Sequence, residues 1–140
     1  METETRYIKY VDSIKYQLFE TAVFFTEIYP EEDIHTKHVD LSTKGRLEVR
    51  EDYPWDGASG GARDTKTIMR GSLLHDPLYG LLRQGHLDKK WRKQIDKEFK
   101  KRCIQDRMLK LRAYYVFRAV RRLAGFAADP KNKRRVHIAP

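Results

Sequence analysis

The stretch TyrProTrpAspGlyAlaSerGlyGly, residues 53–61, separates two halves of different character. It packs three glycines and a proline into nine residues. Glycine permits backbone conformations closed to other residues, so this is loop chemistry. Before it, short runs rich in aromatic and β-branched residues read as strands. After it, the apolar spacing turns helical. Strands first and helices after make an α+β fold: N-terminal antiparallel strands and hairpins, then a C-terminal bundle of about three helices.

Working back from residue 53, Arg46–Arg50 and His38–Leu41 flank the turn-rich Ser42–Gly45, a hairpin signature. Pro30–Asp33 is an acidic loop, and Ala22–Tyr29 is an apolar run up to Pro30. Thr5–Tyr10 and Lys15–Phe19 read as a further hairpin. Working forward, Ile68, Met69, Ser72 and Leu73, then Leu78, Tyr79, Leu81 and Leu82, belong to one or two helical segments ending near Gly85. Leu87, Trp91, Ile95, Phe99 and Cys103 step by four and form one apolar stripe. Met108, Leu111, Tyr115, Ala119 and Leu123 form a third, with Gly125 as a C-terminal stop. Residues 1–128 read as a single domain without repeat or linker, and 129–140 as a basic tail, flexible or lying on the surface.

Composition narrows the functional classes. The 140 residues are 40% hydrophobic and 35% charged, which is globular rather than disordered. No apolar run reaches the roughly 18 residues needed to cross a bilayer. The opening MetGluThrGluThr has no signal-peptide pattern, so a cytoplasmic location is expected. The single cysteine, Cys103, excludes an internal disulfide and a thiolate zinc site, and its apolar neighbours make it a small core residue. Charge is uneven. Residues 1–82 carry 10 Lys/Arg against 15 Asp/Glu, whereas residues 83–135 carry 19 against 5. That basic half can meet nucleic acid or an anionic surface, or it can be a set of solvated helix faces.

Chemistry concentrates in HisAspProLeuTyr (75–79) and in Asp96. Tyr79 lies four residues after His75 and shares its helical face. If the next helix packs antiparallel, Asp96 falls opposite. A carboxylate at Asp96 would fix the tautomer of His75 and support the imidazolium formed when the ring takes a proton from water. The Tyr79 hydroxyl would hold Asp96. Asp76 would ligate a hard cation such as calcium, with backbone carbonyls of the 57–61 loop, at Gly57 and Gly60, completing an oxygen shell. Such a cation would polarise an ester carbonyl.

Other roles compete. Asp76-Pro77 is also a good helix start, with Asp76 as N-cap and Pro77 first in the helix. Asp96 can pair with Arg92 or Lys100 on the helix surface, an interaction of roughly 0.2–0.5 kcal/mol. His75 follows two leucines and can be a hydrogen-bonded core histidine. The glycine loop lacks the Lys-Ser/Thr ending of a phosphate-cradling loop, which speaks against nucleotide binding there.

Two resemblances enter on these residues. TrpAspGlyAlaSerGly, ArgGlySerLeuLeuHisAspProLeuTyrGlyLeuLeuArg and IleAspLysGluPhe resemble, in order and spacing, an uncharacterised phage and bacterial family of the DUF1353 type. That resemblance implies a phage accessory or virion-associated protein of unassigned activity, with other phage or virion proteins as partners. Locally, the glycine loop, HisAsp with Tyr four positions after His, and a later Asp are similar to the site of secreted and parvoviral phospholipases A2. By that likeness His75 would be the base, Asp96 its partner, Tyr79 the support and Asp76 the calcium ligand, in a metal-assisted hydrolase. Pro77 departs from that pattern, because a helix interior normally excludes proline.

Overall fold

A computed structural model of the chain describes residues 1–11, 16–57 and 65–123. The basic tail, His137, Gly60 and Gly125 lie outside these residues. The fold is α+β, with N-terminal antiparallel strands in two sheets followed by three helices. One sheet orders β1 (Tyr10–Val11), β2 (Tyr16–Leu18) and β7 (Pro54–Trp55) as β1-β2-β7. The other runs β3-β6-β5-β4, from β3 (Ala22–Phe25), β4 (Ile34–His35), β5 (Val39–Leu41) and β6 (Arg46–Val49). Both expected hairpins form, β1 against β2 and β5 against β6, with Leu41 opposite Leu47. Alternation then decides the faces: Ala22, Phe24, Val39, Leu41, Leu47 and Val49 are all buried.

Pro54 and Trp55, read above as loop, are a strand. Pairing with β2 and burial of the Trp55 ring outweigh the turn propensity, and the indole nitrogen donates to Ser72 Oγ at 3.1 Å. Pro54 lies on β7, an edge strand among the described residues, and so sacrifices no second ladder bond.

The helices are α1 (Lys66–Arg83), α2 (Arg92–Gln105) and α3 (Lys110–Leu123), with a 3-10 turn at Lys89–Trp91 ahead of α2. α1 passes through Pro77 as one helix. Pro77 removes one backbone bond and costs about 3 kcal/mol. Leu73, Leu74, Leu78, Leu81 and Leu82 are all buried around it, at about 1.5–3 kcal/mol each, so packing wins. Asp76 is therefore not an N-cap.

The four-residue stripe holds as α-helix only from Ile95 through Phe99 to Cys103. Leu87 precedes that helix, and Trp91 sits at its start with its ring edge-on to Tyr29. In α3 the inward face is Ala113, Val116 and Val120, whereas Leu111 and Tyr115 are exposed. Both faces of α3 carry apolar residues, and the smaller ones fit against α2.

Candidate active site at His75

The site grows from one face of α1. Gly71, His75 and Tyr79 recur every four residues and so line up along the helix. At Gly71 a Cβ would stand 2.9 Å from Phe99 Cδ1 and 3.1 Å from Cys103 Sγ. Glycine there lets α1 and α2 close on each other. That approach sets the Phe99 ring 5.1 Å from the His75 ring, and the next turn of α2 delivers Asp96. The Tyr79 ring stacks on His75 at 4.1 Å from the other side.

Asp96 is fully buried and collects donors from two other helices. His75 Nε2 lies 2.8 Å from Oδ1, and the Tyr79 hydroxyl donates to the same oxygen at 2.6 Å. Arg121 Nη1, from α3, donates to Oδ2 at 2.8 Å. Arg92 donates through Nε to the Tyr79 oxygen at 3.2 Å and through Nη2 to the Arg121 carbonyl at 2.5 Å. Three helices are thus tied through one carboxylate. Burial by itself pushes the Asp96 carboxyl up. The hydrogen bonds from His75 and Tyr79, with the Arg121 bond added, outweigh it and hold the group below the usual carboxylate range. Burial, followed by the bond to Asp96, raises the Tyr79 phenol, which therefore stays a donor.

An ionised carboxylate can only accept, so Nε2 of His75 carries a proton. In the neutral ring Nδ1 then holds the lone pair. It makes no hydrogen bond among the described residues. Arg102 Nε is a fully enclosed side-chain nitrogen that lacks a partner. The His75 side chain retains 6% of its surface exposed. It is a nearly enclosed ring with one tethered and one open nitrogen.

The sequence-based candidates sort accordingly. His75, Tyr79 and Asp96 come together, and Asp96 takes neither surface partner: Arg92 turns to Tyr79 and Lys100 lies over the Phe117 ring. Asp76 is half-buried and receives the Tyr53 hydroxyl on Oδ2. Gly57 takes φ 81°, a conformation that suits glycine. Among the described residues no group of three His, Cys, Asp or Glu side chains is placed to hold a metal ion. The carbonyls of residues 58–61, which the calcium shell expected from sequence needs besides Asp76, lie outside the described residues.

Arg121, Arg92, Tyr53 and Gly71 were missed from sequence. A glycine four residues before His75 on one helical face was the available signal for a close helix crossing. Arg121 lies 25 residues from Asp96, and no spacing rule reaches that far.

Scans against protein-family models, curated proteins and solved structures found no match.

The remaining candidates take structural places. Cys103 is sealed in the core, and burial pushes its thiol up to about 12, an unreactive value. Part of the basic surplus of residues 83–135 is spent inside, at Arg102 and Arg121. Lys89, Lys93, Lys97 and Lys101 remain exposed at four-residue intervals. No helix among the described residues is long and apolar enough to cross a membrane.

Proposed function

We propose that the protein is an ester hydrolase in which His75 is the general base. The observation that carries this reading is the asymmetry of the ring: Nε2 is tied to the buried Asp96, and Nδ1 has no hydrogen-bond partner among the described residues. Nδ1 takes a proton from water as the water oxygen attacks the ester carbonyl. Asp96 stabilises the imidazolium that forms, and His75 returns the proton to the alkoxide that leaves. Arg121 and Tyr79 hold the carboxylate in line and keep it ionised. Asp76 stands next to the base, and calcium on it, as the phospholipase A2 likeness implies, supplies no step of this mechanism.

A second reading has its own support in the complete burial of Asp96 and its bonds to α1 and α3. In it the protein is a non-catalytic phage accessory or virion protein, and the cluster only fixes the helices. Broken buried networks leave unpaired groups and cost stability.

The two readings separate in one experiment. His75→Gln is assayed against a panel of fluorogenic esters and phospholipid vesicles, with and without calcium, beside its thermal melt. Hydrolysis by the wild type that His75→Gln abolishes, with Tm nearly kept, supports the first reading. No turnover of any ester by the wild type, with a large fall in Tm for the variant, sinks it in favour of the second.

A further inference from the structure

A second site lies away from His75, at the start of α1. A cavity of about 680 Å³ opens between the N-terminal segment, the first turn of α1 and the end of α2. That is within the roughly 300–1,000 Å³ of small-molecule sites. Tyr7, Ile8 and Met69 supply apolar surface, and Arg6, Lys66 and Arg107 supply charge. These three cations form no ion pair or side-chain hydrogen bond among the described residues. The remaining charges of the lining cancel, because Arg70 Nε holds the Asp106 carboxylate at 3.0 and 3.2 Å. Three positive groups are left uncompensated around one cavity.

Arg107 makes the independent case. α1 and α2 end in the same hydrogen-bonded motif. After α1, His86 N donates to Leu81 O and Gly85 N to Leu82 O; after α2, Met108 N donates to Cys103 O and Arg107 N to Ile104 O. Both turns need a left-handed residue, with φ 77° at Gly85 and φ 72° at Arg107. Glycine adopts that conformation freely, whereas a side chain there is strained. The chain uses glycine at one end and a strained arginine at the other, and that arginine lines the cavity. Strain of this kind concentrates where a side chain has a task. The opposite wall adds to the case: α1 starts without a side-chain cap bond and with no acid in its first turn, an end that favours anions.

We propose that this cavity binds an organic phosphate. The dianionic head sits among Arg6, Lys66 and Arg107, and an apolar or aromatic body lies on Tyr7, Ile8 and Met69. Three free cations match a dianion better than a single carboxylate, and the apolar wall discriminates against a bare ion.

Calorimetry on the full chain at low salt tests it, with phenyl phosphate and inorganic phosphate as probes. Phenyl phosphate should bind at one site, about tenfold tighter than inorganic phosphate. Arg107→Gly and Lys66→Gln should each weaken it by about fivefold or more, with Tm kept. Arg107→Gly relieves the strained turn, and Lys66 is exposed, so both variants are expected to fold. Equal affinity for the two probes, which a diffuse basic surface would give, overturns the proposal. Undetectable phenyl phosphate binding does so too, as does binding unchanged in both variants.

Discussion

The Glu4–Arg70–Arg102–Glu98 cluster and the His75–Asp96–Tyr79 cluster both bury charge where α1 meets α2, toward opposite ends of that helix pair. In the first, Arg70 and Arg102 are nearly inaccessible, and Glu4 bridges them at 3.1 and 2.6 Å. Arg102 also holds Glu98 and the Phe25 carbonyl, so the cluster binds the N-terminal segment and β3 to the helices. Its cations are guanidiniums, which do not release protons in proteins. In the second, the carboxylate meets a ring that can gain and lose a proton and keeps one nitrogen open. The electrostatic demand is the same: a buried charge must be paired. The difference is that the first cluster is paired at every charge by groups that keep their protons, whereas the second includes an imidazole with one nitrogen left unbonded among the described residues.

The sharpest way to break this contrast is at the guanidinium. Arg102→Met takes the ion-pair partner from Glu98 and one of two guanidiniums from Glu4, and should cost about 3–5 kcal/mol in urea unfolding. A loss below about 1 kcal/mol would show that the first cluster is not scaffold. Asp96→Asn comes next. It should lower ester hydrolysis by about 10²–10⁴-fold, because the imidazolium loses its counter-charge and the tautomer its anchor. The stability cost should be smaller, about 1.5–3 kcal/mol for hydrogen bonds to a charged group. Activity kept in Asp96→Asn would reduce the second cluster to scaffold as well.

Gly71→Ala tests whether the helix crossing positions the base. The added methyl meets Phe99 and Cys103, so about 1–3 kcal/mol should be lost, with hydrolysis falling further than stability alone explains. The smallest effect is on acid stability. Asp96 and Glu4 are both held below their ordinary values, each by hydrogen bonds and charge that outweigh burial. Each therefore binds its proton less readily folded than unfolded. Their contribution is complete above about pH 5, begins to fall through the ordinary carboxylate range, and is lost as pH falls through the depressed folded values. Acid titration of Arg102→Met should shrink the Glu4 part of that dependence, because Arg70 still holds Glu4, and keep the Asp96 part.

Much of this was open to reading along the chain. The switch of period after residue 61, the β5–β6 hairpin and the Ile95–Phe99–Cys103 stripe follow from local spacing. His75 and Tyr79 share a face because a helix repeats every 3.6 residues. Other features depend on partners far away. Leu111 and Tyr115 made as good a stripe as Ala113, Val116 and Val120, and only the shape of α2 selects between them. Pro77 argued for a helix start, and only the leucines buried around it carry the helix through.

The charge imbalance shows the same division. From sequence, an acidic half and a basic half were visible as a difference in counts. Folding sets Glu4 of the acidic half on Arg102 of the basic half, so part of the imbalance is complementarity within one molecule. Sequence by itself determined the order of strands and helices, and the histidine, phenol and carboxylate available to a site, because periodicity and side-chain chemistry are local. Tertiary structure alone decided that Asp96 turns inward, that Arg121 meets it and that one nitrogen of His75 stays open. Those outcomes depend on how closely two helices can approach, and that distance is set by packing in three dimensions.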